Sequence, residues 1–254
     1  MSEPILEACA LEAAYGTART LHGVSFTLAP GERLAIIGRS GSGKSTLGRL
    51  LCGLPPAAAR VTGRLRWPGG EAPVAMARKA GLTRHVAWLP QEAQASLHPM
   101  LRIGSQVRET LRAAGTAGGP AEVADLLGQA GFDPALARRY PHEVSGGQAQ
   151  RAALACALAQ RPAVLVADEP TSALDGTTEA AVLETLLALT RENGLALVLI
   201  THHIAHAVSL CHRVMVLEQG VVVEEGWARS LAQAPRSEPA RRLVTAAGLL
   251  QASC

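Results

Sequence analysis

The sequence predicts an α/β fold: a parallel sheet core that carries a smaller antiparallel β subdomain and an inserted α-helical subdomain. Three observations point there. Continuously apolar runs recur at Arg33-Leu34-Ala35-Ile36-Ile37, Ala163-Val164-Leu165-Val166-Ala167 and Leu195-Ala196-Leu197-Val198-Leu199-Ile200. Strands without alternation are expected where helices cover both faces of a parallel sheet. Each run is followed by polar residues and then a helical pattern, so the unit is strand, loop, helix. By contrast, Val24-Ser25-Phe26-Thr27-Leu28 alternates apolar and polar residues, as a half-solvated antiparallel strand does.

Taken in order, the chain reads as one domain over 1–254. Residues 1–91 and 161–226 form the core with its β subdomain, 92–160 a helical subdomain, and 227–254 a short C-terminal helical tail. Leu97 to Gln160 is helical in period, interrupted by Gly115-Thr116-Ala117-Gly118-Gly119-Pro120 and by Tyr140-Pro141. Val214-Met215-Val216-Leu217 and Val221-Val222-Val223 flank Glu218-Gln219-Gly220, a hairpin signal. In the tail, Pro235 and Pro239 are expected to break the helical pattern.

Composition narrows the function classes. With 48% hydrophobic and 18% charged residues, disorder, collagen and coiled coil are excluded. A net charge of +3 is too mild to suggest a polyanion, so no nucleic-acid partner is expected. No stretch approaches the ~20 unbroken apolar residues of a membrane span. Met1-Ser2-Glu3-Pro4 does not open a secretory signal. Cys9, Cys52, Cys156, Cys211 and Cys254 are scattered, odd in number and without a C-x-x-C pair, which argues for reduced thiols in a cytosolic protein.

The chemistry concentrates at strand ends. Gly38-Arg39-Ser40-Gly41-Ser42-Gly43-Lys44-Ser45 fits G-x-x-x-x-G-K-[ST], directly after an apolar strand and before a helix starting at Thr46. Glycines let successive N–H groups curl around phosphate oxygens, and the helix start adds partial positive charge. In that reading Lys44 pairs with the β- and γ-phosphates and the Ser45 hydroxyl binds Mg²⁺. The core is then a phosphate-loop NTPase of RecA-like type. Asp168 closes the second apolar strand as the Mg²⁺-holding acid. Glu169 follows at the sheet edge, where it can accept a proton from an attacking water.

Val144-Ser145-Gly146-Gly147-Gln148 alone is a serine helix cap with two glycines. After a phosphate loop and about twenty residues before an acidic strand end, it resembles the signature of ABC transporter nucleotide-binding subunits. The likeness covers nearly the whole chain. It implies ATP and Mg²⁺, with Tyr15 stacking on adenine and Gly38 to Thr46 (Gly38, Arg39, Ser40, Gly41, Ser42, Gly43, Lys44, Ser45, Thr46) around the phosphates. Gln91 is implied to touch Mg²⁺, with Ser45 and Asp168, and the attacking water. Ser145, Gly146, Gly147 and Gln148 act on the ATP of the partner subunit. Asp175, in Ser172-Ala173-Leu174-Asp175, belongs to a loop that crosses to that subunit, and His202 contacts the γ-phosphate. The catalytic set is Glu169, His202 and Gln91. Two positions depart from the pattern: Val144 stands where leucine is usual, and His203 where aspartate commonly follows the histidine.

Tyr140-Pro141-His142-Glu143 and Gln91-Glu92-Ala93-Gln94-Ala95-Ser96-Leu97-His98-Pro99 resemble peptide- and nickel-type importers, with His98 in place of an asparagine. The short chain, without a cysteine-rich tail, is most similar to the nickel-type subunits. The resemblance implies a peripheral protein on the cytoplasmic face of the inner (plasma) membrane. Its partners would be a second ABC ATPase (a heterodimer favoured, a homodimer possible), two integral-membrane permease subunits and, indirectly, an extracytoplasmic solute-binding protein. The cargo would be nickel, a metal chelate or short peptides. The other reading is an ATPase of a soluble complex such as the phosphonate C–P lyase assembly.

Overall fold

The computed structural model describes residues 3–172, 174–192 and 194–249. Ala173 of the loop expected to cross to a partner subunit, Cys254 and the rest of the tail beyond residue 249 lie outside the described residues, as do Met1 and Ser2. The chain opens with β1 (Leu6–Tyr15), β2 (Ala18–Leu28), β3 (Arg33–Ile37), α1 (Lys44–Leu51), β4 (Ala59–Trp67), β5 (Gly70–Pro73) and β6 (Val86–Leu89). Helices α2 (Ala93–Ser96), α3 (Ile103–Ala113), α4 (Pro120–Gln129) and α5 (Gly146–Leu158) follow. Then come β7 (Val164–Asp168), α6 (Gly176–Glu192), β8 (Ala196–Thr201), α7 (Ile204–Leu210), β9 (Arg213–Glu218), β10 (Val221–Trp227), α8 (Ala228–Gln233) and α9 (Glu238–Ala246).

Two sheets organise these elements. The six-stranded sheet runs β10-β9-β3-β8-β7-β6, parallel except for the β9–β10 pair, and the four-stranded sheet runs β2-β1-β4-β5. The unbroken apolar strands are explained by what lies on either side. Ala35, Ile37, Leu165, Ala167, Leu197 and Leu199 enter a core shared with the helices α3 to α6. Leu34, Ile36, Val164, Val166, Val198 and Ile200 enter a second core, with α1 and the four-stranded sheet. Successive side chains point to opposite faces, so each of these apolar residues buries into one core or the other. On β2 the alternation holds as the sequence predicts, with Val24, Phe26 and Leu28 buried and Ser25 and Thr27 exposed.

Gln219 (φ 48°) and Gly220 (φ 77°) form the two-residue loop of the β9–β10 hairpin. Two positive φ values make the turn whose twist matches that of the strands. One expectation needs correction. Pro239 does not break the tail; it sits in the first turn of α9, where a missing N–H costs nothing, and Ser237 caps the same helix by accepting from the Ala240 N–H. Among the described residues no helix is long and apolar enough to cross a membrane.

Candidate active site

Parallel register gathers the chemistry. Ile37 pairs with Thr201, Asp168 with Ile200 and Leu89 with Ala167. The residues that follow these strand ends (Gly38, His202, Glu169 and Gln91) therefore emerge at one edge of the sheet, the edge where open α/β sheets bind ligands.

The loop from Gly38 to Gly43 joins β3 to α1. Gly43 has φ +100°, and a Cβ there would stand 2.7 Å from the Thr20 carbonyl oxygen, so only glycine fits at the start of α1. Lys44 is buried, and its Nζ donates to the carbonyls of Gly38 (2.9 Å) and Arg39 (3.0 Å). Burial presses its ammonium below the ordinary value, while the charges of Glu169 and Asp168 oppose that shift. The Ser42 hydroxyl is buried in the same loop without a partner. A cavity of about 280 Å³ opens here, lined by Thr20, Ser40, Gly41, Gly43, Lys44, Ser45, Thr46, Gln91 and Glu169. Thr20 brings the antiparallel sheet to the site, and no motif in the sequence signals it.

The Ser45 hydroxyl donates to Asp168 Oδ1 at 3.2 Å. Burial raises the Asp168 carboxyl above its usual range, and the Ser45 bond pulls the other way. This pair of hard oxygen donors, at the first turn of a helix beside a buried lysine, fits Mg²⁺. Next to it, Glu169 stands in the left-handed region at φ +44°. Its N–H is held by the Ile200 carbonyl (2.8 Å), and its own carbonyl accepts from the Ser172 N–H (3.0 Å). Local bonding holds a conformation that a non-glycine residue otherwise avoids. Glu169 Oε2 accepts from Gln91 Nε2 (3.2 Å), and Oε1 faces His202 Nδ1 (3.1 Å).

The signature residues lie elsewhere. Ser145 caps α5 in a reciprocal box: its hydroxyl accepts from the Gln148 N–H (3.3 Å), and Gln148 Oε1 accepts from the Ser145 N–H (2.9 Å). A Cβ on Gly147 would come within 2.2 Å of Thr178 Cγ2, so this glycine lets α5 approach α6. Gly146 lines a separate groove of about 780 Å³ with Gln91, Gln94, Gln150, Ser172 and Leu174. Asp175 starts α6, accepting from the N–H groups of Thr177 (3.1 Å) and Thr178 (3.0 Å) and from both hydroxyls. These bonds hold its carboxyl well below the usual carboxylate range. Tyr15 ends β1, partly exposed and outside the phosphate-loop cavity.

The phosphate loop, the acidic strand end and the sheet between them define an ATPase of the phosphate-loop class. The ABC transporter family profile matches residues 21–172, and the chain belongs to that family as an ATPase cassette. The glutathione import ATP-binding protein GsiA of Salmonella typhimurium (strain LT2) is 40% identical over 227 residues, which cover 88% of this chain and 36% of that protein. GsiA of Escherichia coli K12 is 39% identical over 234 residues, 91% of this chain and 37% of that protein. The chain thus spans little more than a third of the length of these relatives. Among solved structures, the dimeric post-hydrolysis state of the ATP-binding cassette MJ0796 bound to ADP and Pi superposes with a TM-score of 0.77. It is 28% identical, and the match covers 88% of this chain and 99% of that one. CbiO1 of Clostridium perfringens, part of the ABC transporter complex cbiONQ, gives 0.75 at 26% identity over 91% of each chain.

Proposed function

We propose that this ATPase energises a membrane importer as one of two cassettes that close on ATP. The carrying observation is the constellation at one sheet edge: Lys44 on the loop, Ser45 against Asp168, and Glu169 between Gln91 and His202. Gly38, Arg39, Ser40, Gly41, Ser42, Gly43, Lys44, Ser45 and Thr46 bind the phosphates, with Tyr15 against the adenine. Ser45, Asp168 and Gln91 hold Mg²⁺, which when bound neutralises charge on the phosphate oxygens. Glu169 accepts the proton of the attacking water while its oxygen bonds to the γ-phosphorus and the bond to the bridging oxygen breaks. His202 donates from its free ring nitrogen to the γ-phosphate.

In this proposal Ser145, Gly146, Gly147 and Gln148 grip the ATP of the opposite cassette. The cap supports the reading, because Ser145 and Gly146, where α5 begins, are exposed and do not line the chain's own phosphate cavity. Asp175 fixes the crossing loop. ATP is then a clasp bound from both sides, and hydrolysis releases it. The favoured assembly is a heterodimer with a second ABC ATPase on two integral-membrane permease subunits, at the cytoplasmic face of the inner membrane, fed by an extracytoplasmic binding protein. The groove beside Gln91 supports a membrane-partner contact at the segment it begins. For cargo, similarity to glutathione importers favours the short-peptide reading over nickel or a metal chelate, since glutathione is a tripeptide.

The test is purification from detergent-solubilised membranes. Two multi-span subunits co-purifying with the chain, and ATPase activity that rises with peptide-loaded binding protein, are expected. A stable assembly with soluble lyase proteins instead would move the chain to the phosphonate-degrading class.

A further inference from the structure

His203, which replaces the aspartate usual after the switch histidine, does not stand alone. Its ring centroid lies 4.0 Å from that of His202 and 5.2 Å from that of His206. At the near end, His202 Nδ1 meets Glu169 Oε1 at 3.1 Å. At the far end, His206 Nδ1 meets Glu179 Oε1 at 3.7 Å, on the first turn of α6, directly after Asp175 has capped it. The His203 N–H is tied to the Thr201 hydroxyl at 3.0 Å, and Ile204 anchors the start of α7 in the core. The three imidazoles thus form a row between two carboxylates, one at the hydrolysis site and one on α6.

We propose that His203 and His206, with Glu179 facing the far ring, are positioning residues that hold the His202 ring against Glu169 in place of the missing aspartate. This rests on the reading of His202 as the γ-phosphate contact. The chemistry of the ring gives the row its importance. Nδ1 of His202 faces Glu169 at 3.1 Å, so Nε2 is the ring nitrogen left to reach a phosphate, and a turned ring loses that aim. The groups facing His203 are His202 beside it, His206 on its own helix, Glu179 from α6 and Glu169 from the end of β7. Burial, followed by its two histidine neighbours, keeps the His203 imidazole below its ordinary value.

The experiment compares steady-state ATPase rates of the full chain from about pH 5.5 to 9 for four sets of variants. H202A, the control, is expected to be inactive. H206A and E179Q are expected to lower kcat roughly tenfold or more with the KM for ATP unchanged, as a misaimed group does. H206N, whose amide nitrogen reproduces the contact of Nδ1 with Glu179, is expected to restore most of that loss. H203A, which removes the middle ring, is expected to lower kcat in the same way, and H203D, which supplies the carboxylate usual at this position, to keep most of the wild-type rate. If H202A is inactive while H206A, E179Q and H203A keep the wild-type kcat, the positioning row is refuted and the reading of His202 stands. If H202A itself turns over normally, both fall.

Discussion

Replacing Glu169 by glutamine removes one negative charge and almost no volume, which makes it the sharpest probe of the hydrolysis step. In the structure both carboxylate oxygens are engaged, Oε2 by Gln91 Nε2 at 3.2 Å and Oε1 by His202 Nδ1 at 3.1 Å. A glutamine keeps one acceptor oxygen for Gln91, and neither atom of its amide could take the proton of the attacking water. Loss of a positioned base costs roughly 10²–10⁴ in rate, or about 3–5 kcal/mol in the barrier. The folding cost is far smaller. The His202 side chain is 49% exposed, so the pair contributes below about 1 kcal/mol to stability. For a chain of this size that is a shift of at most about 2–4 °C in Tm. Phosphate-release rates, ATP titration and thermal melts on the same preparation separate the two effects. The expected outcome is an intact fold, retained ATP binding, a nearly silent turnover and a dimer that persists with ATP on a sizing column. Turnover within a few-fold of wild type would show that another group takes the proton.

Three further outcomes follow from particular contacts. K44A removes the buried ammonium that bridges the Gly38 and Arg39 carbonyls, and ATP affinity should fall roughly tenfold to hundredfold by calorimetry; an unchanged Kd would remove the phosphate-loop assignment. G147A places a Cβ 2.2 Å from the Thr178 methyl and should cost about 1–3 kcal/mol, a loss that T178S, which deletes that methyl, should largely restore; an uncorrected double variant would contradict the α5–α6 contact. His203 and His212 both have pKa values lowered from 6.5 by burial, so just below pH 6.5 the unfolded chain binds more protons than the folded one. Their contribution is therefore full above pH 6.5 and shrinks as acid is added, until the folded values are passed. Denaturant melts at pH 5.5 and 7.5 should show lower stability at the acid value for the wild type and a smaller difference for H203Q; equal differences in the two proteins would remove the His203 share.

Much of the sheet was legible because burial on both faces leaves β8 apolar from Ala196 to Ile200. The site was legible for a related reason. Parallel strands deliver their C-terminal ends to one edge, so Gly38, Glu169 and His202 could be placed together from where their apolar runs stop. What stayed hidden comes from packing between distant segments. Thr20 enters the phosphate cavity from the other sheet, and no periodicity in β2 marks it. The approach of Thr178 to Gly147, which makes that residue a packing glycine, depends on how α5 crosses α6. Pro239 reads as a breaker by residue type alone, yet in the first turn of α9 its missing N–H has no helical partner to lose. The row from His202 to Glu179 joins a strand end to a helix that begins earlier in the chain, a contact only the folded α6 and α7 create.

The central claim is that ATP is held from two sides by two cassettes. The most direct measurement is a structure of the E169Q protein, with its partner cassette, trapped with ATP and magnesium. The account predicts the Ser145 hydroxyl within about 3 Å of the γ-phosphate of an ATP seated on the partner's phosphate loop. An occupied phosphate loop with Ser145 facing solvent, or facing the ATP of its own chain, would contradict it.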